Sequence, residues 1–292
     1  MLLLQQVING VVLGATYSLI ALGFTLLLGV LGQLNMAVGE TLMFSGFVGL
    51  VLMTNAQLPF VIALLLAMVA GGAISFLTYV ISFRFVRPTF YTASVLSTIG
   101  VGILLTSAAT QIFGSETRAF PDVVPNHMFL VGQVGISLPQ VLVFAIAVVV
   151  MAALHLIVNR TRLGLALRAV SERPSTAALL GVPVQRVIII TFLISGVIVG
   201  AAGVLTGLTF HTISPFVGLD ATLKGLAIMV LGGLGNVAGA MVAGFLIGVI
   251  EVLSVAYVSA NFRNALAFVV LILVLTIRPQ GLFGTRTRES RV

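Results

Sequence analysis

Long apolar runs separated by short polar stretches dominate this sequence. The run over 41–83 is long enough for two membrane spans, because a single span needs about 20 apolar residues. Transmembrane β-strands would instead show short segments in which apolar and polar residues alternate. The pattern therefore predicts α-helices that cross a bilayer several times. The runs without a charged residue are 1–39, 41–83, 88–115, 123–159, 187–219 and 225–250.

These runs predict an all-α polytopic membrane protein, with about eight membrane segments in a single transmembrane domain over residues 1–292. The apolar N-terminus has no basic segment and no clear cleavage site, so we take residues 5–30 as the first span and not as a signal peptide. The other predicted segments lie at 41–55, 60–83, 93–113, 139–158, 187–208, 222–256 and 264–277.

Glycines and amides interrupt two of the apolar stretches, at 31–40 and 231–240. Irregular backbone at membrane depth is tolerated where it borders protein or a water-filled cavity, so we predict discontinuous or re-entrant helices there, lining a pathway. The two decapeptides share Leu, Gly, Leu and Gly in the same order at an offset of 200, which indicates a possible internal repeat. The alternatives are a surface turn with a solvated Glu40, and a chance match among 31 glycines.

The segment 160–186 is a polar, arginine-rich island between two apolar runs. Arginines beside span ends follow the positive-inside pattern, so we place this segment and the basic tail 278–292 on the cytoplasmic side. The polar stretch 114–138 has no basic excess, which indicates the other side. Eight simple crossings would put the tail opposite 160–186, so we expect the segment 222–256 to be re-entrant.

A short helix can be drawn inside 160–186. Ser171 suits the N-cap, Glu172 lies in the first turn, where the helix dipole favours an anion, and Pro174 is early enough to lose no helical hydrogen bond. Gly181 then ends the helix as its C′ residue. We interpret this element as a docking surface for a soluble partner. A basic loop that only sets topology is the alternative.

Composition excludes several classes of function. Only 7% of the residues are charged, against about 25% in soluble proteins. The net charge of +7 comes from arginines beside span ends, so it does not indicate nucleic-acid binding. The chain has no cysteine and only three, isolated, histidines, so we expect no disulfide, no metal site and no cofactor.

The residues needed for ATP hydrolysis are also missing. A Walker A motif requires Gly-Lys-Ser/Thr, whereas the only lysine of the chain, Lys224, is followed by Gly225. No pair of a nucleophile and a base is visible, so we do not expect an enzyme. If ATP drives this protein, a separate subunit must hydrolyse it, and 160–186 would be the place where that subunit docks.

Glu40, Lys224 and Glu251 are the charged residues nearest to apolar segments. Placing a charge at the bilayer centre costs about 2.5–3.5 kcal/mol on insertion scales, so such residues usually face a cavity or lie near the interface. Glu251 suits the coupling carboxylate of an ion- or proton-coupled carrier, although no further acidic residues accompany it.

Several short stretches of the chain carry a resemblance, at 9–10, 21–23, 35–40, 168–181, 223–225, 231–235 and 278–284. In order and spacing they resemble the permeases of branched-chain (hydrophobic) amino-acid ABC transporters, over nearly the whole length. At 36–39 this chain has Met-Ala-Val-Gly where the family usually has Phe-Ala-His-Gly. That difference changes a side chain beside the pathway and leaves urea, amides or small aromatic acids open as substrates besides hydrophobic amino acids.

The resemblance implies the transmembrane permease subunit of an ABC importer in the bacterial inner membrane. It implies a second homologous permease (the same chain or a different one), two cytoplasmic ABC ATPase subunits and a periplasmic substrate-binding protein as partners. Closure of the ATPases on nucleotide would move a coupling helix in 160–186, and the permeases would reorient by alternating access. The alternative is a stand-alone ion- or proton-coupled secondary carrier for small organic solutes.

Two sets of site residues follow from this expectation. The coupling set maps onto the family's coupling helix and comprises Arg168, Ser171, Glu172, Arg173, Pro174, Ala177, Ala178 and Gly181. The pathway set collects polar residues and glycines of the spans and their breaks: Asn9, Tyr17, Gln33, Asn35, Gly39, Glu40, Ser97, Lys224, Gly232, Gly233 and Asn236.

Overall fold

The structure is a computed structural model that describes residues 2–84, 91–122, 128–131, 134–259 and 263–284. Its helices are α1 (Leu2–Leu31), α2 (Val38–Thr54), α3 (Phe60–Ser82), α4 (Tyr91–Phe113), α5 (Leu138–Arg160), α6 (Arg162–Glu172), α7 (Pro174–Leu179), α8 (Val184–Phe210), α9 (Val217–Gly232), α10 (Val237–Tyr257) and α11 (Arg263–Ile277). The strands are β1 (Arg118–Ala119), β2 (Met128–Val131), β3 (Val134–Ser137) and β4 (Thr212–Ile213).

Six of the described helices are long and apolar enough to cross a membrane, namely α1, α3, α4, α5, α8 and α10. Two further apolar helices, α2 and the part of α11 over Phe268–Ile277, are shorter. The prediction of an all-α membrane protein is therefore confirmed. About eight membrane segments were predicted, whereas six of the described helices are long enough to span. The predicted segment 222–256 consists of two helices, α9 and α10, joined by a turn at 233–236.

Helices α1 and α8 form the centre of the bundle. Helix α1 is apolar around its whole circumference, and 89% of its most apolar stretch is buried. A helix of this kind is stable only when other helices or lipid surround it on every side. Helix α1 packs mainly against α10 and α8, and α8 packs in turn against α3 and α2.

Small residues bring these helix backbones into direct contact. A Cβ atom added at Gly14 of α1 would lie 2.6 Å from the Cα atom of Phe245 in α10. A Cβ atom added at Gly196 of α8 would collide with the backbone of Gly71 in α3. Apolar side chains gain little from leaving lipid for protein, so close packing of this kind supplies much of the attraction between membrane helices.

Buried hydroxyl groups add hydrogen bonds between the central helices. Ser18 Oγ of α1 donates to the carbonyl oxygen of Met241 in α10 over 2.9 Å. Ser195 Oγ of α8 donates to the carbonyl oxygen of Gly23 in α1, also over 2.9 Å. Each bond joins a side chain to the backbone of a neighbouring helix, so it fixes the relative height of the two helices.

The four strands lie at one end of the bundle. Strand β1 pairs antiparallel with β4, with Arg118 opposite Ile213, and β2 pairs antiparallel with β3. The side-chain amide of Gln5 bonds both backbone groups of Gly135 in β3, over 2.9 and 3.0 Å. The start of α1 and the end of α8 therefore lie at this strand end. These pairings within and beyond the polar stretch 114–138 were not predicted.

The opposite end of the bundle gathers the end of α1 with helices α6 and α7. Val30, near the end of α1, packs in a second apolar cluster with Leu167 and Val170 of α6, Ala177 of α7 and Val187 of α8. The polar island of the sequence is therefore attached to the bundle through its few apolar side chains. We call this side the docking end.

The chain after α11 lies at the docking end, where its backbone amides bond the last carbonyl oxygens of α9. The backbone amides of Leu282 and Phe283 donate to the carbonyl oxygens of Leu231 and Gly232, over 2.8 and 3.1 Å. The last carbonyls of a helix have no partner within it, so this C-terminal strap, residues 278–284, takes the place of a further helical turn. The rest of the predicted basic tail, 285–292, lies outside the described residues.

Replacing Gly14 with Ala tests the contact between α1 and α10. The added methyl group must push the two backbones apart, so we expect Gly14→Ala to cost about 1–3 kcal/mol, the usual range for overpacking. Gly100→Ala is the matched control, because no other atom lies within 4 Å of a Cβ atom added there. Thermal unfolding of the purified protein in detergent measures both variants. Equal midpoints would contradict the proposed contact.

Candidate functional site

Helix α6 holds the polar island against the bundle. Its start is capped by Thr161, whose Oγ1 accepts a hydrogen bond from the backbone amide of Gly164 over 3.2 Å. Gly164, Leu167 and Val170 are buried at spacings of three residues, while Leu165 between them is 64% exposed. One face of α6 is therefore packed on the bundle and the other is free.

The short helix α7 begins later than predicted. Ser171 does not cap it, because its Oγ donates to the carbonyl oxygen of Arg168 within the last turn of α6. Glu172 is the final residue of α6 and does not lie in the first turn of α7. The break falls at Arg173, which is extended at φ −151° and ψ 96°, because a residue before proline is disfavoured in the helical region and Pro174 follows it.

The end of α7 is as predicted. Gly181 has a φ of +84°, which favours glycine, and its amide donates to the carbonyl oxygen of Ala178 over 3.0 Å. Ala177 faces inward and is buried, so it is not part of the outer surface. Leu179 and Leu180, which were not among the predicted site residues, are 89% and 79% exposed. We call these two leucines the apolar tip.

The charged and polar residues of the coupling set surround the apolar tip. The exposed residues in this part of the chain include Arg168, Ser171, Glu172, Arg173, Pro174 and Ala178. An exposed apolar contact with a charged rim is the usual composition of a protein interface. A loop that only sets topology requires no exposed leucine pair.

A charged cluster lies inside the bundle, where α1, α9, α10 and α11 meet. Lys224 Nζ of α9 lies 2.9 Å from Glu251 Oε1 of α10 and 2.8 Å from the hydroxyl oxygen of Tyr17 in α1. The Tyr17 hydroxyl donates to Glu251 Oε1 over 2.9 Å. Arg263, the first residue of α11, pairs with the same carboxylate oxygen. This charged cluster ties four helices together.

The Glu251 carboxylate is the centre of the charged cluster. Its side chain is fully buried, while those of Lys224 and Arg263 are 12% and 35% exposed. A buried ion pair costs so much desolvation that it contributes little net stability, but removal of one partner is strongly destabilising. Since Glu251 is held by two cations, its arrangement is that of a fixed structural counter-ion.

Asn9 lies nearer to the strand end, in a polar cavity of about 270 Å³. Its Oδ1 accepts hydrogen bonds from Gln140 Nε2 over 3.0 Å and from Gln5 Nε2 over 3.3 Å. Arg263 and His211 line the same cavity. Asn9 and the charged cluster thus border a common polar region, with Gln140 as a further member that was not predicted.

Glu40 lies in a different place, in the first turn of α2. It lines a cavity of about 460 Å³ between α2, α4 and α9. The residue is only 8% exposed, so it is a buried carboxylate and not a solvated one. Its Oε2 atom accepts no hydrogen bond from any described residue. Gly39 beside it packs directly on the backbone of Gly218, so α2 and α9 are in close contact next to the cavity.

The remaining polar residues of the first break serve local structure. Asn35 is buried, and its Oδ1 accepts the backbone amide of Ala37 over 3.0 Å, which shapes the turn before α2. Ser97 Oγ lies 3.0 Å from Ser82 Oγ and links α4 to α3. Gln33 is half-buried in the turn. These contacts stabilise the break without bringing the three side chains into one cavity.

The residues of the second break lie at the docking end. Gly233 has a φ of +106°, and a Cβ atom there would lie 2.7 Å from the backbone nitrogen of Gly284 in the C-terminal strap. Gly232 is packed against the start of α10. Asn236 caps α10 through its Oδ1, 2.9 Å from the amide of Gly239. The predicted pathway residues are thus distributed over separate sites. Tyr17 and Lys224 share the charged cluster, Gly39 and Glu40 lie at the start of α2, and Gly232, Gly233 and Asn236 share the second break.

The members of the charged cluster differ in how far the sequence revealed them. Glu251 was recognisable as a charge next to an apolar segment. Arg263 was not predicted as a site residue, because a cation at the start of an apolar helix usually marks only the membrane boundary. No local pattern connects Glu251 with Tyr17, which lies 234 positions away along the chain.

The geometry defines a multi-pass α-helical membrane protein with charged groups inside and an amphipathic element exposed at one end. A family described as "Branched-chain amino acid transport system / permease component" matches residues 6–275. The chain therefore belongs to that family. It is the permease subunit of an ABC importer and not an enzyme, and it is a multi-pass protein of the bacterial inner membrane.

Individual relatives agree with this assignment. The chain is 34% identical to the high-affinity branched-chain amino acid transport system permease protein LivH of Salmonella typhimurium, over 96% of this chain and 95% of that protein. It is 33% identical to the corresponding protein BraD of Pseudomonas aeruginosa, over the same shares. The D-allose transport system permease protein AlsC of Escherichia coli is 26% identical over 75% of this chain and 66% of its own length. No solved structure matches.

Replacing Glu251 with Gln leaves Lys224 and Arg263 without their shared counter-ion. Breaking a buried ion pair typically costs about 3–5 kcal/mol, so we expect a large fall in the thermal unfolding midpoint. The double variant Glu251→Gln, Lys224→Met removes one of the stranded cations and should recover part of the loss. Asp122→Asn is the control, because Asp122 is 82% exposed. A double variant no more stable than Glu251→Gln would contradict the coupling of these charges.

Proposed function

We propose that this permease moves branched-chain or related hydrophobic amino acids inward by alternating access. The observation that carries the substrate class is the 34% identity with LivH, whose name specifies branched-chain amino acids, across 96% of this chain. The lower identity with AlsC, a D-allose permease, supports the wider family mechanism more than the ligand. Small polar solutes related to hydrophobic amino acids belong to the same proposal.

We propose that two separate cytoplasmic ATPase subunits drive the movement. The chain has one lysine, Lys224, and it is held in the charged cluster, so it does not serve a phosphate-binding loop. The apolar tip with its charged rim supports docking of one ATPase on α6 and α7. The further partners in this proposal are a second homologous permease, identical or different, and a periplasmic substrate-binding protein.

We infer that α2 and α11 complete eight membrane segments, although each is shorter than a full span. The docking end would face the cytoplasm and the strand end would face outward. The support is that 160–186 and the C-terminal strap lie at the same end, around a cavity lined by Arg168, Asn236 and Phe283. Because α9 and α10 form a hairpin, the chain returns and places the C-terminal strap on the same side as 160–186. Both arginine-containing segments then agree with the positive-inside rule.

We also infer that the bundle contains two inverted halves, α1 to α3 and α8 to α10. In each half a long helix is followed by a break and then by a shorter helix, with the breaks at 32–37 and 211–216. Helix α1 packs against α10 as α8 packs against α3, which is the reciprocal arrangement that a two-fold relation requires. This relation differs from the offset of 200, which aligns 31–40 with 231–240.

Within this proposal, the translocation pathway follows the cavities that Glu40 and Asn9 line, and Gly39 holds α2 against α9 beside the first cavity. Tyr17 and Lys224 lie in the charged cluster between helices of both inverted halves, where they would hold α1 and α9 during reorientation. Gln33, Asn35, Ser97, Gly232, Gly233 and Asn236 are assigned to shaping the helix breaks.

Ala178→Trp tests the docking surface. Ala178 is exposed beside the apolar tip, so an indole there blocks contact without disturbing the bundle. We expect ATP-driven uptake to fall by roughly tenfold or more, equivalent to about 1.4 kcal/mol of lost coupling, with normal membrane insertion. Ala56→Trp is the matched control, since Ala56 is exposed in the turn between α2 and α3. Unchanged uptake and unchanged co-purification of the ATPase in Ala178→Trp would remove the docking proposal.

Cysteine labelling tests the orientation directly, because the chain contains no native cysteine. In intact cells we expect Ser175→Cys in α7 to be protected from a membrane-impermeant maleimide and Glu116→Cys to be labelled. Both positions are exposed in the structure, so permeabilised cells should label both. Labelling of Ser175→Cys in intact cells would place α6 and α7 outside, and a cytoplasmic ATPase could not dock there.

Uptake without an ATPase separates the importer from the stand-alone carrier. The complete transporter in liposomes is expected to accumulate leucine only with the binding protein outside and ATP on the ATPase side. Accumulation by the permease alone, driven by an ion gradient, would overturn the proposed mechanism.

A further inference from the structure

The cavity beside Glu40 combines apolar walls with a small polar patch. Three helices surround it, α2, α4 and α9, and its volume of about 460 Å³ falls within the range of small-molecule sites. Phe216, Leu219 and Leu223 recur along α9 at spacings of three and four, and all three are exposed. The lining residues used below are Glu40, Ile99, Ile103, Thr106, Ser107, Phe216, Leu219 and Leu223.

The carboxylate of Glu40 has no counter-ion among the described residues. The ion pairs found there involve Asp122 and Glu251 only. The Oε2 atoms of both Glu40 and Glu251 are buried and accept no hydrogen bond from a described residue, so the difference between the two residues is the paired cations that Glu251 has. Burying an unpaired carboxylate costs far more than burying a paired one, so proteins rarely keep one without a use. Glu251 shows that this chain can neutralise a buried carboxylate when structure alone is at stake.

The backbone around Glu40 leaves room for its carboxyl group. A Cβ atom added at Gly102 of α4 would lie 3.3 Å from the Cδ atom of Glu40 and 3.4 Å from its Oε2. A Cβ atom added at Gly218 of α9 would lie 3.1 Å from the Cα atom of Glu40. Gly102 therefore leaves room for the carboxyl group itself, and Gly218 leaves room for the backbone that carries it.

From these observations we propose that the cavity is a binding site for an amino acid with an apolar side chain, and that Glu40 receives its ammonium group. The walls formed by Phe216, Leu219 and Leu223 accommodate the apolar side chain. The hydroxyl group of Ser107 is a donor available for the carboxylate of the ligand. This proposal rests on the proposed function and names the residue that recognises the substrate within the membrane.

The chemistry of the cavity favours an organic ammonium over a metal ion. Alkali and alkaline-earth cations need several oxygen ligands, and here most of the lining is hydrocarbon from residues such as Ile99 and Ile103. An ammonium on an apolar body satisfies both parts of the site: it neutralises the carboxylate, and its side chain covers the apolar wall. The binding protein would then not be the only place at which this transporter selects its substrate.

Charge-selective labelling of a single cysteine tests the site without measuring transport. Thr106→Cys places a thiol in the cavity of an otherwise cysteine-free chain, within the assembled transporter. At each position we compare the labelling rate of a cationic methanethiosulfonate with that of an anionic one. We expect this ratio of rates to be at least roughly tenfold higher at Thr106→Cys than at Ala56→Cys, which corresponds to about 1.4 kcal/mol. Adding Glu40→Gln should abolish the preference at Thr106→Cys and leave that at Ala56→Cys unchanged.

Ligand protection on Thr106→Cys tests the ammonium directly and keeps Glu40 in place. Leucine is expected to slow labelling, whereas 4-methylpentanoate, which has the same carbon skeleton without the ammonium group, is not. Equal protection by both compounds, or by neither, would overturn the proposal. So would a charge preference that survives Glu40→Gln. Because protection requires no change at Glu40, the test holds even if Glu40→Gln does not assemble.

Transport assays then separate the site from the wider proposal. We expect Glu40→Gln to lower ATP-driven leucine uptake roughly tenfold or more, with Glu40→Asp retaining part of it and the exposed control Glu116→Gln unchanged. Normal uptake in Glu40→Gln would refute the ammonium site and leave the importer intact. If the unmodified transporter moves no leucine at all, the proposed substrate class fails, and the labelling preference still decides whether Glu40 attracts a cation.

Discussion

Direct contact between helix backbones is the constraint on which the rest of this structure depends. Moving apolar side chains from lipid into a protein interior gains little free energy, so membrane helices associate through close packing and hydrogen bonds. Gly14 and Gly196 supply the close approach, and Ser18 and Ser195 supply the bonds. Because α1 and α8 are fixed in this way, the shorter helices α2 and α9 can begin inside the bundle, at the level of the cavities, without leaving the breaks before them unsupported.

The two buried carboxylates show two different uses of the same group. Glu251 Oε1 contacts Lys224, Arg263 and the Tyr17 hydroxyl, so the charge of this residue is paired within the protein and joins four helices. Glu40 has a cavity in front of it and no cation beside it among the described residues. The first arrangement resists change, since moving any helix separates charges in a medium of low dielectric constant. The second leaves a carboxylate beside a cavity that a cation can enter.

The spans could be predicted because the apolar composition of a segment by itself favours its transfer into lipid. The end of α7 could be predicted because Gly181 by itself favours the positive φ that ends a helix. The start of α7 was predicted wrongly at Ser171, since the restriction that Pro174 places on the residue before it outweighed the capping preference of serine. The pairing of Glu251 with Arg263 and Tyr17 depends on the arrangement of four helices, and nothing local in the sequence encodes it. Within the docking surface, the outward direction of Leu179 and Leu180 followed only from knowing which side of α7 Ala177 buries.

The C-terminal strap has a consequence for how the protein is made. The two carbonyls that end α9 are satisfied by amides of Leu282 and Phe283, which follow every helix that the structure describes. During synthesis the hairpin of α9 and α10 enters the membrane while those amides are still inside the ribosome or not yet joined to the chain. The last carbonyls of α9 must therefore depend on water or lipid headgroups until translation has passed Phe283.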